Sequence, residues 1–192
     1  MKSVIVLLIY FSTLCYCKNV IVNIENGPVR GDVTVFYNKT LNIFKGIRYG
    51  KAPIGNLRFK SPEKVDNWTD IYNATTERNS CWQSGYLGMG ARNMNEDCLF
   101  LNVWAPNNSS KPKSVMVWFY GGGYQMGSIL DDIYDATPLA TFDVVVVTVN
   151  YRLGPFGFLY GGTKEAPGNA GLYDQLLALK WVKIENFFLN EN

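Results

Sequence analysis

The sequence predicts an α/β fold, and three stretches carry that expectation. The first is V-M-V-W-F-Y-G-G-G-Y over residues 115–124, a five-residue apolar run that passes through Tyr120 into three glycines. A bounded apolar run of this length predicts a strand buried on both faces. The second is V-V-V-V-T-V-N over residues 144–150, a second buried strand. The third is a helical pattern from about Gly171. Leu172, Leu176, Leu179 and Lys183 share one side of it, and Tyr173, Leu177, Trp181 and Ile184 form the adjacent stripe. Apolar strands separated by a loop and followed by a helix suggest a sheet covered by helices. Reactive groups in such sheets gather at the carboxyl ends of the strands. Gly121, Gly122 and Gly123 fall at such an end.

The elements follow in chain order. Residues 20–24 and 33–37 are β-rich, with Gly27-Pro28 and Gly31-Asp32 as turn signals between them. Residues 42–46 lead into a loop. Residues 51–62 hold Pro53, Gly55 and Pro62 and read as an extended surface connection. Trp68 is expected at the edge of the core. Between Cys81 and Cys98, Gly85, Gly88 and Gly90 and weak periodicity predict a compact loop. Residues 99–104 read as a strand, 107–113 as a polar turn and 154–168 as a loop. Asn169 is expected to cap the helix, which should bury a wide apolar face against the sheet. No repeat, low-complexity tract or linker divides the chain.

Composition narrows the function. The 192 residues are 47% hydrophobic with a formal net charge of +2, and the basic residues form no cluster. That pattern fits a globular protein and gives no footprint for nucleic acid. No cofactor is implied. With no histidine in the chain, a metal site is not expected either.

The amino terminus has the pattern of a secretory signal. Lys2 supplies the positive start, residues 4–14 form an apolar core too short to span a bilayer, and Cys15 and Cys17 place small residues at −3 and −1 of a cleavage site. Residues 1–17 are therefore expected as a signal peptide, with an uncleaved anchor as the alternative, and residues 18–192 as one unit. No later segment is long and apolar enough to span a membrane. Removing the signal leaves Cys81 and Cys98, which in an oxidising compartment most simply form one disulfide, with a free pair or a metal site as alternatives. Sequons at Asn38, Asn67, Asn73, Asn107 and Asn108 agree with a secreted glycoprotein.

A G-G-G run by itself mostly marks a flexible turn. The sharper reading is an oxyanion hole, in which bare peptide N–H groups face a carbonyl oxygen that turns negative during acyl transfer. Trp118, Tyr120, Gly121 and Tyr124 would then lie beside the pocket.

Five further blocks weigh between these readings: G-I-R-Y-G-K-A-P-I-G-N-L-R-F from Gly46, E-D-C-L-F-L-N-V-W from Glu96, W-F-Y-G-G-G-Y from Trp118, N-Y-R-L-G-P-F-G-F-L from Asn150 and A-P-G-N-A-G-L-Y-D-Q from Ala166. With these, in this order, the chain resembles the type-B carboxylesterase and cholinesterase family over residues 20–182. The resemblance implies an incomplete α/β-hydrolase fold, comprising N-terminal β-strands plus the first strands and helix of the central mixed sheet. Gly122 and Gly123 match the family's oxyanion-hole glycines. Tyr120 stands where many members have His and some cholinesterases Tyr. Cys81 and Cys98 match a family disulfide. Arg58 with Glu96, and Arg152 with Asp174, match two structural ion pairs. The residues alone would put these four charges on the solvated surface, whereas the resemblance implies buried pairs. Cholinesterases carry a Trp in the disulfide loop that stacks on the quaternary ammonium. Its place here is Gly88, with Trp82 elsewhere in a shorter loop, so the implied substrate is a general small-molecule carboxylic ester.

The family's chemistry needs a Ser in a G-x-S-x-G turn, an acid and a His. The sequence holds neither a G-x-S-x-G nor a histidine. The family's W-V-x-x-N-I-x-x-F-G-G pattern also slips after Lys183 and is lost beyond Phe188. These features predict the N-terminal fragment of a secreted serine esterase, inactive and aggregation-prone by itself. A non-catalytic, secreted, cholinesterase-like binding or adhesion protein is the alternative.

Overall fold

Val20, Val22 and Ile24 alternate with polar or exposed neighbours, and this period of two forms strand β1 (Lys18–Ile24). It begins the computed structural model, which describes residues 18–84, 91–107 and 112–184. The expected signal segment 1–17, the loop glycines Gly85, Gly88 and Gly90, the sequon at Asn108 and the slipped pattern after residue 184 lie outside the described residues. β1 pairs antiparallel with β2 (Gly27–Phe36), and β2 with β3 (Lys39–Arg48). The two residues between β2 and β3, Tyr37 and Asn38, both have left-handed backbones, with φ of 46° and 60°. That geometry matches the twist of a two-residue hairpin. The turn expected at Gly31-Asp32 is not there. Gly31 sits inside β2, where a Cβ would lie 2.5 Å from the Phe44 ring, so its glycine makes room for a crossing side chain.

Next come β4 (Tyr72–Asn73), β5 (Ser80–Cys81), β6 (Met94–Asn95), β7 (Phe100–Pro106), β8 (Val115–Phe119), helix α1 (Thr137–Ala140), β9 (Val145–Val149), helix α2 (Gly154–Phe158), β10 (Tyr160–Thr163), β11 (Ala166–Pro167) and helix α3 (Ala170–Ile184). The main sheet runs β1-β2-β3-β7-β9-β8, with β4 beside β2. Its pairings are antiparallel along the path until β8 joins β9 in parallel. This is a mixed sheet of the α/β class. The segment read as a loop over 154–168 contains α2 and a short hairpin of β10 with β11.

Two expectations about burial need correction. Every residue of β9 is buried, as the run of valines predicts. β8, the outer strand of the described sheet, is packed on one face and not on both. Val115, Val117 and Phe119 pack on the core, whereas Met116 and Trp118 are about half exposed, at 48% and 47%. An apolar run reports strand character but not the neighbours the strand finds. In α3, the side that meets the sheet carries Ala170, Gly171, Asp174, Ala178 and Trp181. Leu172, Leu176 and Leu179 lie on the exposed side. Small residues let the helix backbone approach closely: a Cβ on Gly171 would lie 2.4 Å from the Arg152 carbonyl oxygen. The backbone carbonyl of Asn169 accepts the N–H groups of Leu172 and Tyr173 and so starts the helix.

The core divides between the two sheet faces. On one, Phe44, Ile47, Leu101, Val103 and Val147 pack with Ala178 and Trp181 of α3 and with the disulfide. On the other, Leu41, Trp104 and Val146 pack with Ala140 of α1. Trp68 packs at the margin of the first cluster, and its Nε1–H donates to the Pro28 carbonyl at 3.0 Å.

Candidate active site

The candidate site starts where β8 ends. Phe119 is the last strand residue, and Tyr120 leads directly into Gly121, Gly122 and Gly123. The chain then folds back on itself, with the N–H groups of Gln125 and Met126 both donating to the Gly122 carbonyl, at 3.0 and 3.3 Å. Gly122 has φ +130°, and a Cβ there would lie 2.0 Å from the Met126 carbonyl oxygen, so this position admits only glycine. At Gly121 and Gly123 a Cβ would meet nothing within 4 Å, so the loop faces open space there. Among the described residues, no acceptor takes the N–H of Gly122 or of Gly123.

Three attachments hold this loop. At its start, Tyr120 is buried and stacked on Tyr151, with ring centroids 4.7 Å apart. Beyond the glycines, the Tyr124 carbonyl accepts the N–H of Gly154 at 2.8 Å, which ties the loop to the first residue of α2. At its far end, the Gln83 side-chain amide brackets Gly127. Its Nε2 donates to the Gly127 carbonyl and its Oε1 accepts the Gly127 N–H, both at 2.9 Å. Gln83 follows Cys81 by two residues, so the Cys81–Cys98 disulfide anchors the segment that holds the loop.

Behind the loop lies a buried polar network that links three parts of the chain. The Asn150 Nδ2 donates to the Asn79 carbonyl, and its Oδ1 accepts the Ile129 N–H. Ser80 and Ser128, both fully buried, share a hydroxyl bond of 2.6 Å. The Tyr49 hydroxyl donates to the Asn150 carbonyl at 2.6 Å. Buried polar groups are tolerated when paired in this way, and the pairing fixes one arrangement. Burial pushes the hydroxyls of Tyr49, Tyr120 and Tyr151 above the ordinary tyrosine range, that of Tyr151 to about 12.

The site residues expected from the sequence are distributed as follows. Gly122 and Gly123 lie in the loop, Tyr120 lies behind it and Tyr124 stands half exposed beyond it. Trp118 points from the exposed face of β8 and its ring lies 5.7 Å from that of Tyr134. Arg152 and Asp174 form a buried ion pair. Burial is the largest influence on the Asp174 carboxyl and pushes it up, while its bonds from Arg152 pull the other way. Arg58 and Glu96 also pair, through two hydrogen bonds, but not in the interior: the Arg58 side chain is 42% exposed. The expectation of a buried pair fails there because Arg58 follows a short surface turn, Gly55–Leu57, with none of its residues buried. Asn38, Asn67, Asn73 and Asn107 are all exposed.

Sequence reasoning missed Gln83, Ser80, Ser128 and the pairing of Tyr151 with Tyr120. Polar residues in loops and two-residue strands carry no periodic signal, and their roles depend on partners 31 to 48 residues away. Among the described residues no cluster of His, Cys, Asp or Glu could hold a metal ion, and no helix is long and apolar enough to cross a membrane.

The chain is similar in sequence to known proteins. The carboxylesterase family model matches residues 18–187. A cholinesterase of Mus musculus is 44% identical over 178 residues, covering 86% of this chain and 30% of that protein. An acetylcholinesterase of Leptinotarsa decemlineata is 40% identical over 192 residues, covering 85% of this chain and 30% of that protein. Acetylcholinesterase-1 of Trittame loki is 47% identical over 173 residues, covering 84% of this chain and 31% of that protein. The chain thus spans about three-tenths of the length of the curated relatives it matches.

Proposed function

The chain belongs to the carboxylesterase family, and from that membership we propose that it is the N-terminal part of a secreted serine carboxylic ester hydrolase, with the N–H groups of Gly122 and Gly123 as its oxyanion hole. One observation carries this reading. Both amides lie at the carboxyl end of β8 with no acceptor among the described residues, on a loop tied down at three points. Donors fixed before the reaction need no reorganisation when the carbonyl oxygen becomes negative, and that is the source of their catalytic effect.

The sequence has no histidine and no G-x-S-x-G. The nucleophile, acid and base therefore come from the remainder of the full-length protein, and the 192 residues alone do not turn over ester. The disulfide, the exposed sequon asparagines and the amino-terminal pattern support secretion. The substrate is a small carboxylic ester. The relatives are named for choline esters, but Gly88 stands where the resemblance implies a choline-stacking Trp. This favours neutral esters.

The test uses the full-length protein purified from its secreted form. It should hydrolyse p-nitrophenyl acetate and lose that activity on stoichiometric reaction with a serine-directed fluorophosphonate, while residues 18–192 do neither. A folded full-length protein that hydrolyses no carboxylic ester would refute the proposal.

A further inference from the structure

Tyr151 lies in a loop, bonds to no charged group and shows no spacing that would single it out in the sequence. In the structure it touches both flanks of the three glycines. On the near flank its hydroxyl donates to the Tyr120 carbonyl at 2.8 Å. That carbonyl belongs to the peptide that joins Tyr120 to Gly121, so the bond orients the first peptide plane of the glycine segment. The bonding is reciprocal. The Tyr120 hydroxyl donates to the Tyr151 carbonyl at 3.1 Å and accepts the Tyr151 N–H at 3.3 Å. The two rings stack 19° from parallel, and both residues are 2% exposed. On the far flank, the Tyr124 ring lies 6.5 Å from the Tyr151 ring, near perpendicular. The loop also closes over this pair, since a Cβ on Gly127 would lie 2.3 Å from the Tyr120 ring.

We infer that Tyr151 is a positioning residue for the glycine amides, holding Tyr120 and Tyr124 on either side so that the N–H groups of Gly122 and Gly123 keep one direction. This rests on the oxyanion-hole reading above and assigns the residue that sets its geometry. Glycines have the widest backbone freedom, so three in a row hold no direction by themselves. A clasp from the end of the neighbouring strand supplies the missing constraint. Tyr151 sits two residues past the end of β9, and Tyr120 one past the end of β8. The rigid parallel pairing of these strands therefore passes directly into the loop.

The test is Tyr151→Phe in the full-length protein, which removes the hydroxyl and keeps the ring. For p-nitrophenyl acetate, kcat should fall about tenfold, the effect of losing one well-placed hydrogen bond, with KM within twofold. Affinity for a trifluoromethyl ketone, whose bound form carries an oxyanion, should fall by the same factor. The pH profile of kcat should keep its shape, because the hydroxyl takes no part in proton transfer. Hydrogen exchange at the amides of residues 121–124 should quicken about tenfold. Tyr120→Phe, which breaks the other half of the clasp, should act in the same direction and serves if the first variant does not fold. The inference is overturned if either folded variant keeps wild-type kcat and amide exchange, or loses activity only in proportion to the protein lost to unfolding. If the wild-type protein hydrolyses no ester, the esterase reading fails, and amide exchange alone still decides whether the clasp orders the loop.

Discussion

Arg152 and Asp174 meet through three hydrogen bonds: the Arg152 backbone N–H at 3.0 Å and Nε at 2.8 Å share one carboxylate oxygen, and Nη2 takes the other at 2.7 Å. The pair joins the segment after β9 to the buried side of α3, with the Asp174 side chain fully out of water. It settles the distance between sheet and helix at the end of the sheet where the glycine loop lies.

Breaking this pair from one side should be costly. Asp174→Ala leaves a buried guanidinium without its partner and should lower stability by about 3–5 kcal/mol, whereas replacing both residues together with apolar ones should recover much of that loss. Arg58→Ala removes a solvent-screened pair at the surface and should cost far less. Urea unfolding of the three full-length variants checks the contrast. Equal losses at Asp174 and Arg58 would contradict it.

The three glycines should respond differently to alanine. Gly122→Ala drives a Cβ into the Met126 carbonyl at a backbone angle closed to L-residues, and by displacing the N–H proposed above as an oxyanion donor should lower kcat of the full-length protein by about 10²-fold or more. Gly123→Ala has space but keeps φ +60°, for a stability cost of about 1 kcal/mol. Gly121→Ala has space and no left-handed angle, and should leave stability within about 0.5 kcal/mol. Thermal melting and ester kinetics on the three variants test this order.

Alkali should unfold the protein through its buried tyrosines. Tyr49, Tyr120 and Tyr151 have folded pKa values above the ordinary tyrosine value of 10, chiefly through burial. Their contribution is therefore fully present below pH 10 and is lost as pH rises above it, because the unfolded chain releases these protons first. The combined slope reaches about 4 kcal/mol per pH unit once all three are ionised in the unfolded chain. Urea midpoints measured from pH 7 to 11 should stay level with respect to these groups until about pH 9.5 and then fall steeply. A midpoint that holds to pH 11 would count against it.

Removing the disulfide should loosen the brace that reaches the glycine loop through Gln83. Replacing Cys81 and Cys98 together by Ser opens a loop of sequence separation 17 and should cost about 3 kcal/mol. Gln83→Ala keeps the disulfide but releases Gly127. It should quicken amide exchange over residues 121–127 with a smaller loss of stability, since only the part-buried side-chain hydrogen bonds to Gly127 and to the Cys81 carbonyl go. Hydrogen exchange by mass spectrometry separates the two effects.

Strands β7 and β9 were legible because each is a short, mostly apolar run broken by a single polar residue, Asn102 or Thr148, as suits a strand buried among neighbours. The glycine loop was legible because glycine is the one residue whose backbone can take φ +130° at Gly122. The burial of β8 and the buried side of α3 were not legible. Alternation tells which residues share a face but not which face meets the sheet, and in α3 the small residues, not the leucines, made the close contact. Arg58 and Arg152 look alike in the sequence, and only their surroundings separate an exposed pair from a buried one.

The sequence by itself determined the α/β class, the family and the position of the glycines at the end of a strand, because these depend on residue type and order along the chain. Tertiary structure alone decided what holds those glycines in place. Tyr151, Gln83 and Asn150 act through bonds to partners far away in the chain, and only the folded backbone brings such partners within hydrogen-bonding distance.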